Sequence, residues 1–331
     1  MSRTAVIIPN YNGGTRIGPC LRSLMPQCAE DTQVWVVDNG STDGSDKAAE
    51  AFQNVRVLRL AENTGFTGAV NAGLEKVKDT EYVILLNNDT VVGKSFLKEM
   101  IAAMDRHLDA FSAQARLRRM DAPKRLDDGG DMYSAIGWAY GRGHLRPDRK
   151  YSTEEEIFSA CGAAAIYRTR LIREIGGFDP SIFAYLEDVD LGWRARRAGW
   201  KNYYIPSANV LHEGSATTGS RINAFKISFS SRHNIYLLRK NMPVCYRIAF
   251  LPLLAGGFLA KIIYFCILGY GKEYAQGLQS GFRMPLPRSV KVGEYRENDR
   301  KIAWEIFRNT PGCILDILGM HLIMHKLKKK F

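Results

Sequence analysis

The stretch Glu81 to Thr90, EYVILLNNDT, constrains this chain more than any other. Tyr82 to Leu86 is an apolar run with no polar break. A strand of that kind is buried on both faces, as in a parallel sheet covered by helices. The run stops abruptly at Asn87, Asn88 and Asp89. In open α/β sheets, ligands bind beyond the carboxyl ends of the strands. Asp89 therefore stands where a hard cation could bridge two phosphates. An ordinary polar turn would use the same residue types, and the rest of the chain has to decide between the two.

The residues before this stretch repeat its pattern. Thr4 to Ile8 predicts a short strand stopped by Pro9, followed by a loop over Asn10 to Gly14 and a helix from Arg16 to Met25. Val34 to Val37 predicts a second strand that exits at Asp38, and Asp43 is placed to cap the next helix. Val55 to Leu60 predicts a third strand, and Glu62 to Gly73 turns into another helix. Strands alternating with helices in this way make a doubly wound α/β unit with helices on both faces of a sheet. Neither a GxGxxG fingerprint nor a P-loop follows the first strand. Asp38 and Asp89, at neighbouring strand ends, would face one crevice and need a cation or ligand donors to coexist. Asp38 can accept the imide N–H of a uracil-type or thymine-type base. Asp89 can ligate the metal on a diphosphate.

Residues 3 to about 215 resemble the inverting glycosyltransferases of family 2, which have the GT-A fold. The resemblance is carried by IIPNYNGG (7–14), VVDNGSTDGS (36–45), NTGFTGAVNAG (63–73), LLNNDT (85–90), GGFDPSIFAYLEDVDLGWRARRAGW (176–200) and HEGS (212–215). It implies a GT-A catalytic domain with a mixed sheet over residues 1–222, after which the composition changes to that of a helical, basic region over residues 223–331. It implies that Pro9, Tyr11, Asp38, Asn63, Gly65, Phe66, Asn71, Asn87, Asn88 and Glu187 form the nucleotide-sugar site, with Asp38 reading the base. Asn87-Asn88-Asp89 would be a variant of the DxD metal motif, with Asp89 as ligand. His212 would join Asp89 on Mn2+ or Mg2+; a lone His is otherwise a structural residue. Asp188 would be the general base, with Glu187 as its competitor. Acids in the first turn of a helix over Leu186 to Ala198 are also what the helix dipole favours.

Between these motifs, residues 105–157 resist reading. The Gly-rich, aromatic stretch 129–144 is either a loop over the substrate or a surface excursion. Phe158 to Tyr167 predicts a buried strand and Arg168 to Ile175 a short helix ended by Gly176-Gly177.

The formal charge of +12 implies an anionic partner, namely nucleic acid, a phosphorylated small molecule or an anionic membrane. Six scattered cysteines without zinc spacing suit a cytosolic compartment, and the N-terminus lacks the apolar run of a signal peptide. In residues 244–271 the longest apolar run, Ile248 to Ala260, is short of the roughly 20 residues a span needs. That segment predicts helices lying in a membrane interface or a buried helical hairpin. Lysines 326, 328, 329 and 330 near the C-terminus suit docking on anionic lipid. The QxxRW motif of processive family members is absent, SSRHN (230–234) being the nearest text.

Together these features predict a metal-dependent, non-processive, inverting glycosyltransferase on the inner face of the cell membrane. It would use a dTDP-rhamnose or UDP-sugar donor and a lipid-linked or polysaccharide acceptor, with no nucleic-acid partner and with room for a homodimer. The alternatives are a sugar-phosphate nucleotidyltransferase and a basic nucleic-acid-binding protein. Against the first, the loop after the first strand carries only Arg16. Against the second, no nucleic-acid-binding motif is evident.

Overall fold

The computed structural model describes residues 3–77, 79–214, 222–287 and 296–328, with side chains as far as residue 316. The first half is β1 (Thr4–Asn10), α1 (Ile17–Leu24), β2 (Thr32–Asp38), α2 (Ser45–Glu50), β3 (Val55–Arg59), α3 (Gly65–Lys76) and β4 (Tyr82–Leu86). Next come β5 (Thr90–Val92), α4 (Phe96–Arg106), β6 (Ala110–Arg119), β7 (Leu126–Asp128), β8 (Asp131–Tyr133), β9 (Ala139–Gly141) and β10 (Glu155–Ile157). Then β11 (Ala164–Arg168), α5 (Thr169–Glu174), α6 (Glu187–Arg197) and β12 (Lys201–His212) complete the sheet unit. The helices α7 (Ala224–Asn241), α8 (Val244–Ala249), α9 (Leu251–Ile267), α10 (Gly271–Arg283) and α11 (Arg296–Lys328) follow.

One mixed sheet runs β10-β12-β6-β11-β4-β1-β2-β3. Strands β4, β1, β2 and β3 are parallel, whereas β11 is antiparallel to both β4 and β6. The expected two-sided burial of β4 is observed. Tyr82, Ile84 and Leu86 join one core with α1 and α4, while Val83 and Leu85 join another with α3, α5 and α6. Alternate side chains of a strand point to opposite faces, so an unbroken apolar run is what helices on both faces require.

Several expected boundaries moved. Pro9 does not stop β1. It stays in register with Val37, and pairing of β1 with β4 has already ended at Ile7, so its missing N–H breaks no bond on that side. Gly44, not Asp43, takes the N-cap of α2; Asp43 instead accepts from the N–H groups of Ser45 (3.0 Å) and Gly14 (2.7 Å). The expected strand from Phe158 begins only at Ala164. Residues 105–157 hold β6, which lies inside the sheet between β12 and β11. Its small and polar residues, AFSAQARLRR, hide it in the sequence, yet Ser112 and Gln114 are fully buried and hydrogen-bonded.

The C-terminal helices share a third core with the sheet unit. Tyr236 and Leu237 of α7, Leu254 of α9 and Ile306 of α11 pack with Phe158, Val189 and Trp193. Lys240 of α7 pairs with Asp179 (2.6 Å) and Asp190 (2.9 Å), which ties α7 to α6. The alternative of a buried hairpin over 244–271 is not observed, because of α9 only Leu254 and Gly257 are buried. None of the described helices is long and apolar enough to cross a membrane. The basic end at Lys326, Lys328, Lys329 and Lys330 lies outside the described side chains, as does Ser215 of the HEGS motif.

Candidate active site

A cavity of about 1110 Å³ opens beyond the carboxyl ends of the strands. Its wall includes Pro9, Tyr11, Asn63, Gly65, Phe66, Asn87, Asn88, Asp89, Glu187, Asp188 and His212, all expected from the sequence. Gly65 has φ +78° and lies so close to the Phe183 carbonyl that a Cβ would clash, so α3 can start against the cavity only with glycine there.

Two expected residues are not in the wall. Asp38 is buried; its carboxylate accepts from Asn10 Nδ2 (2.9 Å) and from the Ser41 N–H (3.1 Å). Asn10 lies on β1, between β2 and β4, and its Oδ1 accepts from Asn88 Nδ2 (2.8 Å). A neutral amide thus joins the two strand ends that were expected to present facing charges. Asn71 binds backbone, donating to the Phe178 carbonyl (2.9 Å) and accepting from the Phe178 N–H (3.2 Å).

Asp89 and His212 meet because β12 pairs with β5. His212 is in register with Thr90, and the Glu213 N–H donates to the Asp89 carbonyl (3.0 Å). His212 Nε2 lies 3.3 Å from Asp89 Oδ1, and His212 Nδ1 lies 2.7 Å from Asp127 Oδ2. Burial opposes charge on this imidazole, but Asp127 and Asp89 outweigh it and push its pKa up to about 10. Asp89 Oδ1 is buried and makes no hydrogen bond among the described residues. A divalent cation fits this arrangement. One ring nitrogen is oriented by a carboxylate, which leaves the other free to ligate, and a hard carboxylate oxygen waits beside it.

Glu187 and Asp188 open α6 after two consecutive left-handed residues, Tyr185 and Leu186, both with φ +69°. Such backbone costs on the order of 1–3 kcal/mol per residue and survives only where surroundings impose it. Here His233 Nδ1 donates to the carbonyls of Ala184 and Tyr185 at 3.0 and 3.1 Å. The two acids then differ. Glu187 Oε2 is buried without a hydrogen-bond partner among the described residues, and burial with the Asp188 charge pushes Glu187 up to about 8. Burial raises Asp188 as well, but its carboxylate accepts from the Val189 N–H (2.8 Å) and faces the Gly162 N–H (3.4 Å). Asp131 beside it is pushed well above the usual carboxylate range by burial and by the Asp188 charge.

Sequence reasoning missed Asp127, Asp128, Asp131 and His144, which all line the cavity. The run RLDDGGD, with three acids around two glycines in the segment that resisted reading, was the available signal. Asp128 is held by Gln114 Nε2 (2.9 Å) and the Gly130 N–H (2.6 Å), and burial pushes it up to about 6. Asp131, Cys161 and Asp188 bring ligand atoms within 4.8 Å of one another. Burial pushes the Cys161 thiol well up, so it stays protonated and is a poor partner for a hard cation. The aromatic stretch 129–144 does reach the cavity, through Trp138 to Gly141 and His144.

The model of the family described as Glycosyl transferase family 2 matches residues 5–176. An N-acetylglucosaminyl-diphospho-decaprenol L-rhamnosyltransferase of Mycobacterium tuberculosis is 30% identical over 243 residues, covering 65% of this chain and 77% of that protein. The O-antigen chain rhamnosyltransferase WbaN of Salmonella anatum is 25% identical over 223 residues, covering 66% and 68%. The solved structure of GalNAc-T7 with UDP, GalNAc and Mn2+ superposes with a TM-score of 0.63 at 13% identity. That likeness covers 91% of this chain but 55% of the other, and it shows the common GT-A fold.

Proposed function

The chain belongs to glycosyl transferase family 2, and from that premise we propose that it transfers a rhamnosyl or related hexosyl group, with inversion, to a lipid-linked acceptor. Membership makes it a glycosyltransferase and removes the nucleotidyltransferase and nucleic-acid-binding alternatives. The observation that carries the finer reading is one cavity walled by both the Asp89–His212 pair and the Asp188 carboxylate. Single displacement needs those two functions in one place: charge stabilisation on the leaving diphosphate and a base for the acceptor hydroxyl.

In this reading the donor is a dTDP- or UDP-sugar, and the named reactions of the mycobacterial and Salmonella relatives support rhamnose as the sugar. The mycobacterial relative's name also supports a polyprenyl-diphosphate acceptor over a free polysaccharide. Asp89 and His212 would hold Mn2+ or Mg2+, which supplies Lewis-acid stabilisation of the departing diphosphate. Asp188 takes the proton of the acceptor hydroxyl as that oxygen bonds to the anomeric carbon and the bond to the diphosphate breaks. Asp188 suits the role better than Glu187, because backbone N–H groups favour its ionised form while burial and the Asp188 charge keep Glu187 protonated near neutrality. Asp131 supports it as a positioning residue. Without a QxxRW motif the product is one or a few added sugars. The +12 charge and the exposed apolar helices support a peripheral place on the anionic inner face of the membrane.

Thermal stability measured with UDP, dTDP, GDP and ADP, each with and without Mn2+, tests the site. A ligand at 100 times its dissociation constant adds about 2.7 kcal/mol. The expected result is Mn2+-dependent stabilisation by UDP or dTDP that Asp89→Ala abolishes. Stabilisation by none of the four removes the donor-site assignment.

A further inference from the structure

Helix α9 is built inside out for a protein in water. Of its seventeen residues, LPLLAGGFLAKIIYFCI, only Lys261 is charged. Leu251, Leu259, Ile263 and Ile267 are between 53% and 78% exposed. Lys261, by contrast, turns inward and lines the catalytic cavity beside Tyr264, Phe265 and Trp138. Its ammonium lies 4.7 Å from the centre of the Trp138 ring. Among the described residues it makes no ion pair and no hydrogen bond. The indole N–H of Trp138 donates to the Gly257 carbonyl (3.1 Å), which fixes the ring against α9.

A cation in an aromatic wall, without a counter-charge, is an incomplete pair. Burial pulls Lys261 down to about 8 and outweighs the opposing effect of Cys313 on α11. An arriving anion would offset that burial. The outward face of the same helix says what that anion is attached to. Exposed apolar surface of this extent marks a partner or a membrane. The patch continues from Phe250 onto Phe307 and Trp304 of α11, whose rings stack at 6.5 and 5.9 Å. Exposed Lys272, in the first turn of α10, and Arg308, next to Phe307, put positive charge at its margin. Such a surface fits the plane of an anionic bilayer.

We propose that Lys261 binds the phosphate of the lipid-linked acceptor while the acceptor's tail stays in lipid along the outer face of α9. The inference rests on the lipid-linked reading given above. The helix then works as a rail that admits a substrate with an apolar end and an anionic middle, and delivers its sugar to Asp188.

The test uses N-acetylglucosamine linked through diphosphate to a short polyprenyl tail, with wild type, Lys261→Met and Lys261→Arg. Lys261→Met should raise the acceptor KM by roughly 10- to 100-fold, as expected for loss of a charged hydrogen bond. The donor KM should not move. Lys261→Arg should restore most of the loss, and unchanged stabilisation by nucleotide confirms that Lys261→Met is folded. An acceptor KM in Lys261→Met equal to that of wild type overturns the Lys261 site alone. Wild-type transfer to tail-less glycans only would overturn the lipid-linked reading, and this inference with it.

Discussion

Two walls of one cavity follow opposite rules. The wall built from strand ends and the start of α6 gathers carboxyls: Asp89, Asp127, Asp128, Asp131, Glu187 and Asp188, with His212 and His144 among them. The wall built from α9 and Trp138 sets Trp138, Tyr264 and Phe265 around the ammonium of Lys261. The first wall sits on a sheet buried on both faces, while the second belongs to a helix whose outer face is apolar and exposed. The difference teaches how a family 2 glycosyltransferase can treat its two substrates separately. A cation-bound diphosphate needs rigid oxygen donors on a scaffold that does not yield. An acceptor carrying a lipid needs a surface that water dislikes, with one charge placed where the anionic group passes.

Substitutions in each wall sharpen that contrast. The largest effect is expected from Asp188→Asn, which keeps the shape and removes the carboxylate proposed as the base. Its kcat should fall by roughly 10²- to 10⁴-fold, with nucleotide-induced stabilisation intact; a kcat within a few-fold of wild type would move the base elsewhere, Glu187 first.

A smaller effect is expected from Glu187→Gln, read as stability against pH in the unliganded protein. The Glu187 pKa rises on folding from about 4.5 to about 8, so its contribution to stability is complete below about pH 4.5 and is lost as pH rises through about 8. The glutamine avoids a buried charge, so the Tm of Glu187→Gln relative to wild type should climb across that window. A flat difference would show that the acid is not desolvated.

The smallest effect on stability should come from serines at Leu259, Ile263 and Ile267 together. Exposed positions contribute within about 0.5 kcal/mol each, so Tm should barely change. Sedimentation with phosphatidylglycerol vesicles should nevertheless be lost. A large drop in Tm would mean that the face is packed in solution, against a second copy of the chain, and the contrast between the walls would fail.

Much of the carboxyl wall was legible in the sequence, because strand ends announce themselves. The run Tyr82 to Leu86 sets burial on both faces, and its abrupt stop places Asn87, Asn88 and Asp89 at the carboxyl edge. The Glu187-Asp188 pair and His212 follow from motifs in fixed order. Asp127, Asp128 and Asp131 were not legible, since β6 and β7, which bring them in, are polar, short or arginine-rich. Asp38 was legible only in part. Its position at a strand end was read correctly, but whether a carboxylate faces a cavity or a neighbouring Asn10 depends on side-chain packing that no pattern records.

By itself the sequence determined the doubly wound half of the sheet and the ligand-bearing edge with Asp89, because periodicity and strand termination are local properties; Asp188 was singled out only through the family's motif. Only the tertiary structure decided the rest. It set His212 against Asp89 through the β12–β5 register, and it buried Asp131 beside Asp188, whose charge pushes the Asp131 pKa up. It also turned the lone charge of α9 inward and left that helix's apolar residues outward. These are contacts between residues far apart in the chain, and each depends on how layers pack rather than on any run of neighbouring residues.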